Sequence, residues 1–288
     1  MIGVKTKKKI TQNIAFNLFR VLSFSLVLIL LAILSFIVIR GIGVVNWDFI
    51  SKMPEEGMTK GGIFPAIIGT LTLVAGSMLF AFPIGVLSGI YINEFVNESW
   101  FKRFMKLMTN NLAGVPSIVF GLFGMSLFVN TLGFGDSIIA GSLTLGLLVL
   151  PVIVRTTEES LKSIDKSYRE GSYALGASKI QTIRRVVLPL AMPNILTGFI
   201  LSIGRVSGET APILFTVAAY FLPKLPSSVF DQVMALPYHL YVLSTSGTDM
   251  EASRNMAYGT ALVLIIIVLL LNLLANFTRM LLNKKVKN

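Results

Sequence analysis

The chain contains several apolar runs, each long enough to cross a lipid bilayer. A helix needs about 20 mainly apolar residues to span a hydrocarbon core of about 30 Å. Hydrophobic residues make up 54% of the 288 residues and charged residues 14%, and the mean hydropathy of +0.77 lies outside the range of soluble proteins. Because lipid offers peptide groups no hydrogen-bond partners, these runs predict an all-α, polytopic membrane protein.

The runs predict six transmembrane helices in a single domain that covers residues 1–288. The first run, Val21 to Ile39, is too long for the apolar core of a cleaved signal peptide, so we expect it to remain as a signal anchor. We find no internal repeat and no low-complexity segment. The predicted spans are roughly 21–43, 64–92, 107–130, 137–155, 193–220 and 257–281.

The basic residues are distributed unevenly between the two sides of these spans. Of 25 Lys and Arg residues, 19 lie in the N-terminal tail, the loop after the second span, the 155–192 loop and the C-terminal tail. Short loops rich in Lys and Arg stay on the cytosolic side. The asymmetry therefore predicts that both termini and the 155–192 loop are cytosolic.

Two opposite charges interrupt the fifth predicted span, NILTGFILSIGRVSGETAPILFT. Arg205 and Glu209 lie near its middle, where a charge costs about 2.5–3.5 kcal/mol on insertion scales. Their i, i+4 spacing predicts one shared helix face, on which they neutralise each other. We interpret them as a polar patch on a substrate path, since a guanidinium suits an oxyanion. The alternative is a structural ion pair that fixes helix packing.

Arg155 is a second candidate for the substrate path. It lies at the inner end of the fourth span, four residues after Pro151. An equally good interpretation is an interfacial anchor that extends its charge to the lipid headgroups.

The cytosolic segment Glu170 to Pro189, EGSYALGASKIQTIRRVVLP, has apolar residues at helical spacing and therefore a face that packs against something. The pattern predicts one helix that begins at Glu170, a break at Gly176 and a second helix that Leu188 and Pro189 close. It resembles the "EAA" loop of ABC importer permeases, which couples the membrane subunit to its ATPase. The resemblance implies that the coupling region lies at about 156–192. Its implied ATPase-coupling residues are Glu170, Ala174, Gly176, Leu188 and Pro189.

Further segments extend the resemblance across the chain. GGIFPAIIGTL, AGVPSIVFGLFG, LPVIVRTTEESL and GRVSGETAPILFT are together similar to the PstA family, the permease subunits of phosphate importers with the type I ABC importer architecture. The resemblance implies a multi-pass protein of a prokaryotic plasma membrane. It implies a PstC-like second permease subunit, two PstB-like ATPase subunits and an external PstS-like phosphate-binding protein. It also implies that Arg155, Arg205 and Glu209 belong to the phosphate path.

Composition excludes several other function classes. The chain has no cysteine and one histidine, which excludes thiolate and multi-histidine metal sites. No Gly-Lys pair occurs, so the chain has no P-loop; we expect no enzymatic activity and no cofactor, with ATP bound by a partner. The basic residues lie at the membrane borders, which does not favour nucleic-acid binding. A permease for sulfate or molybdate, a secondary transporter or channel, and a membrane anchor or assembly subunit remain as alternatives.

Overall fold

A computed structural model describes residues 2–246 and 250–287, which are mostly helical. The only sheet in these residues is a hairpin of β1 (Pro54–Glu55) and β2 (Lys60–Gly61). Wider π turns extend three of the helices at Tyr91–Phe95, Met125–Thr131 and Ile183–Val187. The helices are α1 (Ile2–Gly41), α2 (Trp47–Ser51), α3 (Phe64–Ile90), α4 (Trp100–Ala113), α5 (Ser117–Gly124), α6 (Ile138–Lys162), α7 (Lys166–Ala174), α8 (Lys179–Thr182), α9 (Leu188–Gly208), α10 (Ala211–Thr216), α11 (Leu236–Thr245) and α12 (Met250–Lys287).

Helix α6 forms the centre of the bundle, between α3 and α9. Glycines allow the three backbones to approach closely, as small residues do in membrane bundles. A Cβ on Gly89 of α3 would lie 2.6 Å from the Cβ of Thr157, and the side chain of Thr156 fills the space beside Gly198 of α9. Buried Leu145, Leu148, Val149 and Ile153 complete the core.

Helix α1 lies at the edge of the bundle and packs on α12. Its C-terminal part makes the contact, where Phe36 and Tyr258 stack edge to face with ring centroids 5.6 Å apart. The apolar side chains of the span Gln12–Gly41 are otherwise mostly exposed. A helix that is apolar all round and exposed is suited to lipid or to another membrane subunit.

The third predicted span, 107–130, is not a single helix. Helices α4 and α5 meet at an angle of 99° near Gly114 and Pro116. Pro116 has no N–H for the helix ladder and disfavours helical geometry in the residue before it. Five helices in the described residues are long and apolar enough to span a membrane, and the bent pair supplies a sixth if it counts as one span.

The fifth predicted span, 193–220, is also interrupted. Helix α9 ends at Gly208, because Glu209 adopts an extended conformation (φ −74°, ψ 136°) and Pro212 lies in the first turn of α10. Residues 217–235 then form an ordered loop that connects α10 to α11. Within it, the N–H groups of Ser227 and Ser228 and the Ser227 hydroxyl donate to Asp231, which lowers the pKa of that carboxyl.

Candidate substrate path and coupling surface

Arg205 and Glu209 form an ion pair at the break between α9 and α10. Arg205 lies in the last turn of α9, and its Nε is 3.4 Å from Oε1 of Glu209, the residue that follows the helix. The prediction that the two share a continuous helix face is therefore wrong, although the pair forms. At the break Glu209 keeps one helical hydrogen bond, from its N–H to the carbonyl of Val206.

The Arg205–Glu209 pair lies at the surface of this chain. The Arg205 side chain is 34% exposed and that of Glu209 16%. A Cβ on Gly208 would meet nothing within 4 Å, so this part of α9 presents an open surface of small residues beside the charges. An arginine that is about one-third exposed at the surface of an apolar bundle can bind an anion, but this chain alone does not enclose it.

Arg155 lies nearer than Arg205 to the end of the bundle that carries the 156–192 segment. Its Nε is 2.9 Å from Oε1 of Glu159, one turn later on α6, and both side chains are 61% exposed. Because neighbouring Thr156 contacts Gly198, and Arg205 is seven residues beyond Gly198, the two arginines differ in depth by about 10 Å. They pair with different carboxylates at different levels.

A charged cluster next to Arg155 was not predicted. Lys106 Nζ of α4 and Lys162 Nζ lie 2.8 Å and 2.5 Å from Oε1 of Glu158, whose side chain is only 9% exposed. Together with Arg155 and Glu159 these residues line a cavity of about 150 Å³. The sequence signal was the RTTEE run, which holds the adjacent glutamates Glu158 and Glu159. Adjacent residues of a helix point in different directions, so one of the two faces the bundle. The cluster ties α4 to the end of α6.

The segment predicted to couple to an ATPase, called the coupling segment below, comprises residues 166–187, from α7 to the π turn before α9. It begins with α7, four residues earlier than predicted. Asp165 caps this helix, accepting from the N–H of Ser167 at 2.8 Å, and the hydrogen bonds from Ser167 lower the pKa of the Asp165 carboxyl. Glu170 therefore lies in the middle of α7 and is exposed. The prediction that Glu170 begins the helix is wrong because Asp165 is the better N-cap.

Gly176 makes the predicted break between the two helices. Its φ of +79° lies in the left-handed region, which favours glycine. Ser178 then caps α8 with a reciprocal bond to Gln181. The hydroxyls of Ser172 and Thr182 lie 2.8 Å apart and hold the two helices together.

Leu188 and Pro189 do not close the segment as predicted. The helical path continues without interruption from Lys179 to Gly208. The π turn at Ile183–Val187 precedes Pro189 and gives its ring the room that a regular helix would deny it. The coupling segment is thus directly continuous with α9.

The tip of the coupling segment exposes apolar side chains to solvent. Leu175 is 90% exposed and Ile180 68% exposed, and Tyr173 and Ala174 are also exposed. Exposed apolar residues clustered on a polar segment mark an interaction surface. The geometry therefore suits the docking of a protein partner.

Glu94, just beyond the predicted end of the second span, belongs to this region although it was not among the predicted site residues. Glu94 accepts a charge-assisted hydrogen bond from Arg169 of α7 at 2.7 Å, and its side chain is only 7% exposed. Nearby, Lys179 Nζ lies 4.8 Å from the ring centroid of Phe95. An isolated carboxylate after a long apolar span was the available signal, but its partner lies 75 residues away.

Comparison with known proteins supports the predicted family. Residues 81–288 match the model of the binding-protein-dependent transport system inner membrane component. The chain is 34% identical to a probable ABC transporter permease protein, YqgI, of Bacillus subtilis, over 96% of this chain and 98% of that protein. It is 40% identical to the phosphate transport system permease protein PstA of Mycobacterium leprae, over 94% of this chain and 89% of that one.

Solved structures share the fold. A chain in the crystal structure of a bacterial alginate ABC transporter superposes with a TM-score of 0.66 at 16% identity, covering 91% of this chain and 93% of that one. An inward-facing MetNI methionine ABC transporter gives 0.59 at 18% identity, covering 76% and 97%. The predicted type I ABC importer permease architecture is confirmed. The chain therefore belongs to the family of binding-protein-dependent transport system inner membrane components.

Proposed function

We propose that this chain is a membrane-spanning subunit of an ATP-driven importer of inorganic phosphate and forms half of its translocation path. The observation that carries the proposal is the 40% identity, over 94% of the chain, to a phosphate transport system permease protein. A probable phosphate permease of Methanocaldococcus jannaschii, 37% identical over 74% of the chain, adds support from a distant organism.

Arg205 has the chemistry that such a path requires. Its planar guanidinium gives paired hydrogen bonds to phosphate oxygens. Glu209 pairs with Arg205 when no substrate is present and limits how tightly the anion is held, because transport needs weak, transient binding. Arg155, about 10 Å closer to the cytosolic end, offers the next positive charge on the inward route.

The exposure of the Arg205–Glu209 pair supports a path shared with another subunit. With Arg205 34% exposed beside the open surface at Gly208, a second permease subunit, PstC-like or another copy, completes the enclosure. An external PstS-like binding protein delivers phosphate to this dimer. Both termini face the cytosol of a prokaryotic cell.

Energy comes from two PstB-like ATPase subunits, which dock on the exposed tip formed by Ala174, Leu175 and Ile180. Glu170 and Gly176 belong to the same surface and turn, while Leu188 and Pro189 connect it to α9. This chain binds no ATP itself and performs no chemistry.

The proposal is tested by phosphate uptake in cells that lack their own phosphate importers and express this chain with its partner subunits. We expect uptake of radiolabelled phosphate that depends on this chain and on a hydrolysis-competent ATPase. Excess unlabelled sulfate and molybdate should not compete. Uptake of either of those anions in preference to phosphate would instead support the alternative oxyanion permease, and uptake without an ATPase would support a secondary transporter.

A further inference from the structure

We propose that Arg169 and Glu94 form a latch that carries movement of the coupling segment to α3 and so keeps transport tied to ATP hydrolysis. The latch is the ion pair between Arg169 of α7 and Glu94 in the π turn that ends α3. The inference rests on the proposed function, because it requires an ATPase docked on α7 and α8.

Helix α3 has no direct covalent connection to the coupling segment. Only residues 163–165 separate α7 from α6, and α8 runs directly into α9, so the chain itself moves those two helices with the coupling segment. Helix α3 packs tightly against α6, with Thr157 against Gly89. If the coupling segment tilts, this packing carries α3 together with α6, and the Arg169–Glu94 ion pair joins the end of α3 directly to the coupling segment.

The Arg169 guanidinium forms hydrogen bonds to three separate parts of the fold. Its Nη2 donates to Glu94 Oε1 at 2.7 Å and to the carbonyl of Leu161 at 3.0 Å, and its Nη1 donates to the carbonyl of Ile164 at 3.1 Å. One planar group therefore joins the end of α6, the link to α7 and the end of α3. Asn93 Nδ2 donates to the same Glu94 oxygen at 2.8 Å and orients the carboxylate.

The same turn of α3 receives a second connection. Lys179 at the start of α8 lies over the ring of Phe95, a favourable cation–π arrangement. Both coupling helices thus contact residues 91–95, which form a π turn rather than regular helix. Such turns are rare and occur often at functional sites.

The latch predicts a specific defect in the assembled importer. In proteoliposomes that contain the full complex, phosphate uptake and ATP hydrolysis are measured in the same sample. We expect Arg169→Gln and Glu94→Gln each to lower the phosphate moved per ATP at least fivefold, while the ATPase still co-purifies. Lys166→Gln removes an equal charge from an exposed position on the same helix and should leave the ratio unchanged.

A cross-link separates transmission of movement from a loss of folding. On this cysteine-free chain, Glu94→Cys combined with Arg169→Cys is treated with a flexible bifunctional reagent that forms a reducible disulfide bond with each thiol, with the reagent-treated wild-type complex as control. We expect the cross-link to restore at least half of the wild-type ratio and reductive cleavage to abolish it again. The latch is refuted if the single variants keep the wild-type ratio, or if the cross-link leaves a lowered ratio unchanged.

Failure of the proposed function has a different signature. If the wild-type complex hydrolyses ATP but moves another anion in place of phosphate, the substrate assignment is wrong. The latch is then judged by the same ratio with that anion, and the criteria for the variants and the cross-link stay the same.

Discussion

Arg205 pairs with Glu209 across the end of helix α9, and the two residues do not share a helix. The guanidinium Nε lies 3.4 Å from the carboxylate oxygen, and the backbone leaves helical geometry at Glu209 itself. An ion pair at the end of a helix can open without unwinding that helix. The helical hydrogen bond of Glu209 runs from its N–H to the carbonyl of Val206. This makes the pair suited to exchange with a substrate.

Variants of this pair test its role in the anion path. Arg205→Gln should reduce phosphate uptake about ten- to hundredfold, because hydrogen bonds to a charged group contribute about 1.5–3 kcal/mol. Glu209→Gln should slow uptake less, since the free arginine then holds phosphate longer. The double Gln variant should stay as impaired as Arg205→Gln although it inserts stably. Near-normal uptake in that double variant would show that the pair is only a packing brace.

Substitutions of Gly176 test the left-handed turn of the coupling segment. A side chain there meets nothing within 4 Å, so the cost is conformational rather than steric crowding. Gly176→Val should cost about 1–2 kcal/mol and lower ATPase activity stimulated by the binding protein, whereas Gly176→Asn should be tolerated. The measurement is the stimulated hydrolysis rate of the purified complex. Equal rates for the Val and Asn variants would refute this explanation.

The buried His239 predicts a loss of stability in acid. It lies in α11, 1% exposed, with Nδ1 3.2 Å from the Thr260 hydroxyl, and burial lowers its pKa to about 4. Above pH 6.5 the ring is neutral in both states, and stability is at its full value. As the pH falls from 6.5 towards 4, only the unfolded chain takes up the proton, which costs up to about 3 kcal/mol.

Thermal unfolding in detergent between pH 7.5 and 4.5 measures this effect. We expect the midpoint of the wild-type protein to fall through this range and that of His239→Gln to fall less. The same slope in both proteins would assign the acid sensitivity to other groups.

Cysteine labelling tests the orientation predicted from the basic residues. Glu55→Cys and Thr245→Cys, both at exposed positions, should react with an impermeant thiol reagent in intact cells. Ser163→Cys, exposed between α6 and α7, should react only after the cells are opened. Reaction of Ser163→Cys from outside would reverse the topology and place the coupling segment on the wrong side for an ATPase.

The sequence by itself determined the membrane class and the approximate spans, and it predicted the coupling segment and the charged candidates Arg155, Arg205 and Glu209. Each of these depends on local properties: the length of an apolar run, a turn glycine such as Gly176, or a charge within a span. Local spacing also predicted the Arg205–Glu209 pair, although for the wrong reason.

Only the tertiary structure decided where the helices break and which distant charges meet. Whether a proline bends a helix depends on what its neighbours supply: the chain turns by 99° near Pro116 but continues through Pro189 behind a π turn. The contact between Glu94 and Arg169, like that between Lys106 and Glu158, joins residues far apart in the chain. Such contacts follow from the packing of helices, because a local pattern carries no information about which helix end lies beside another.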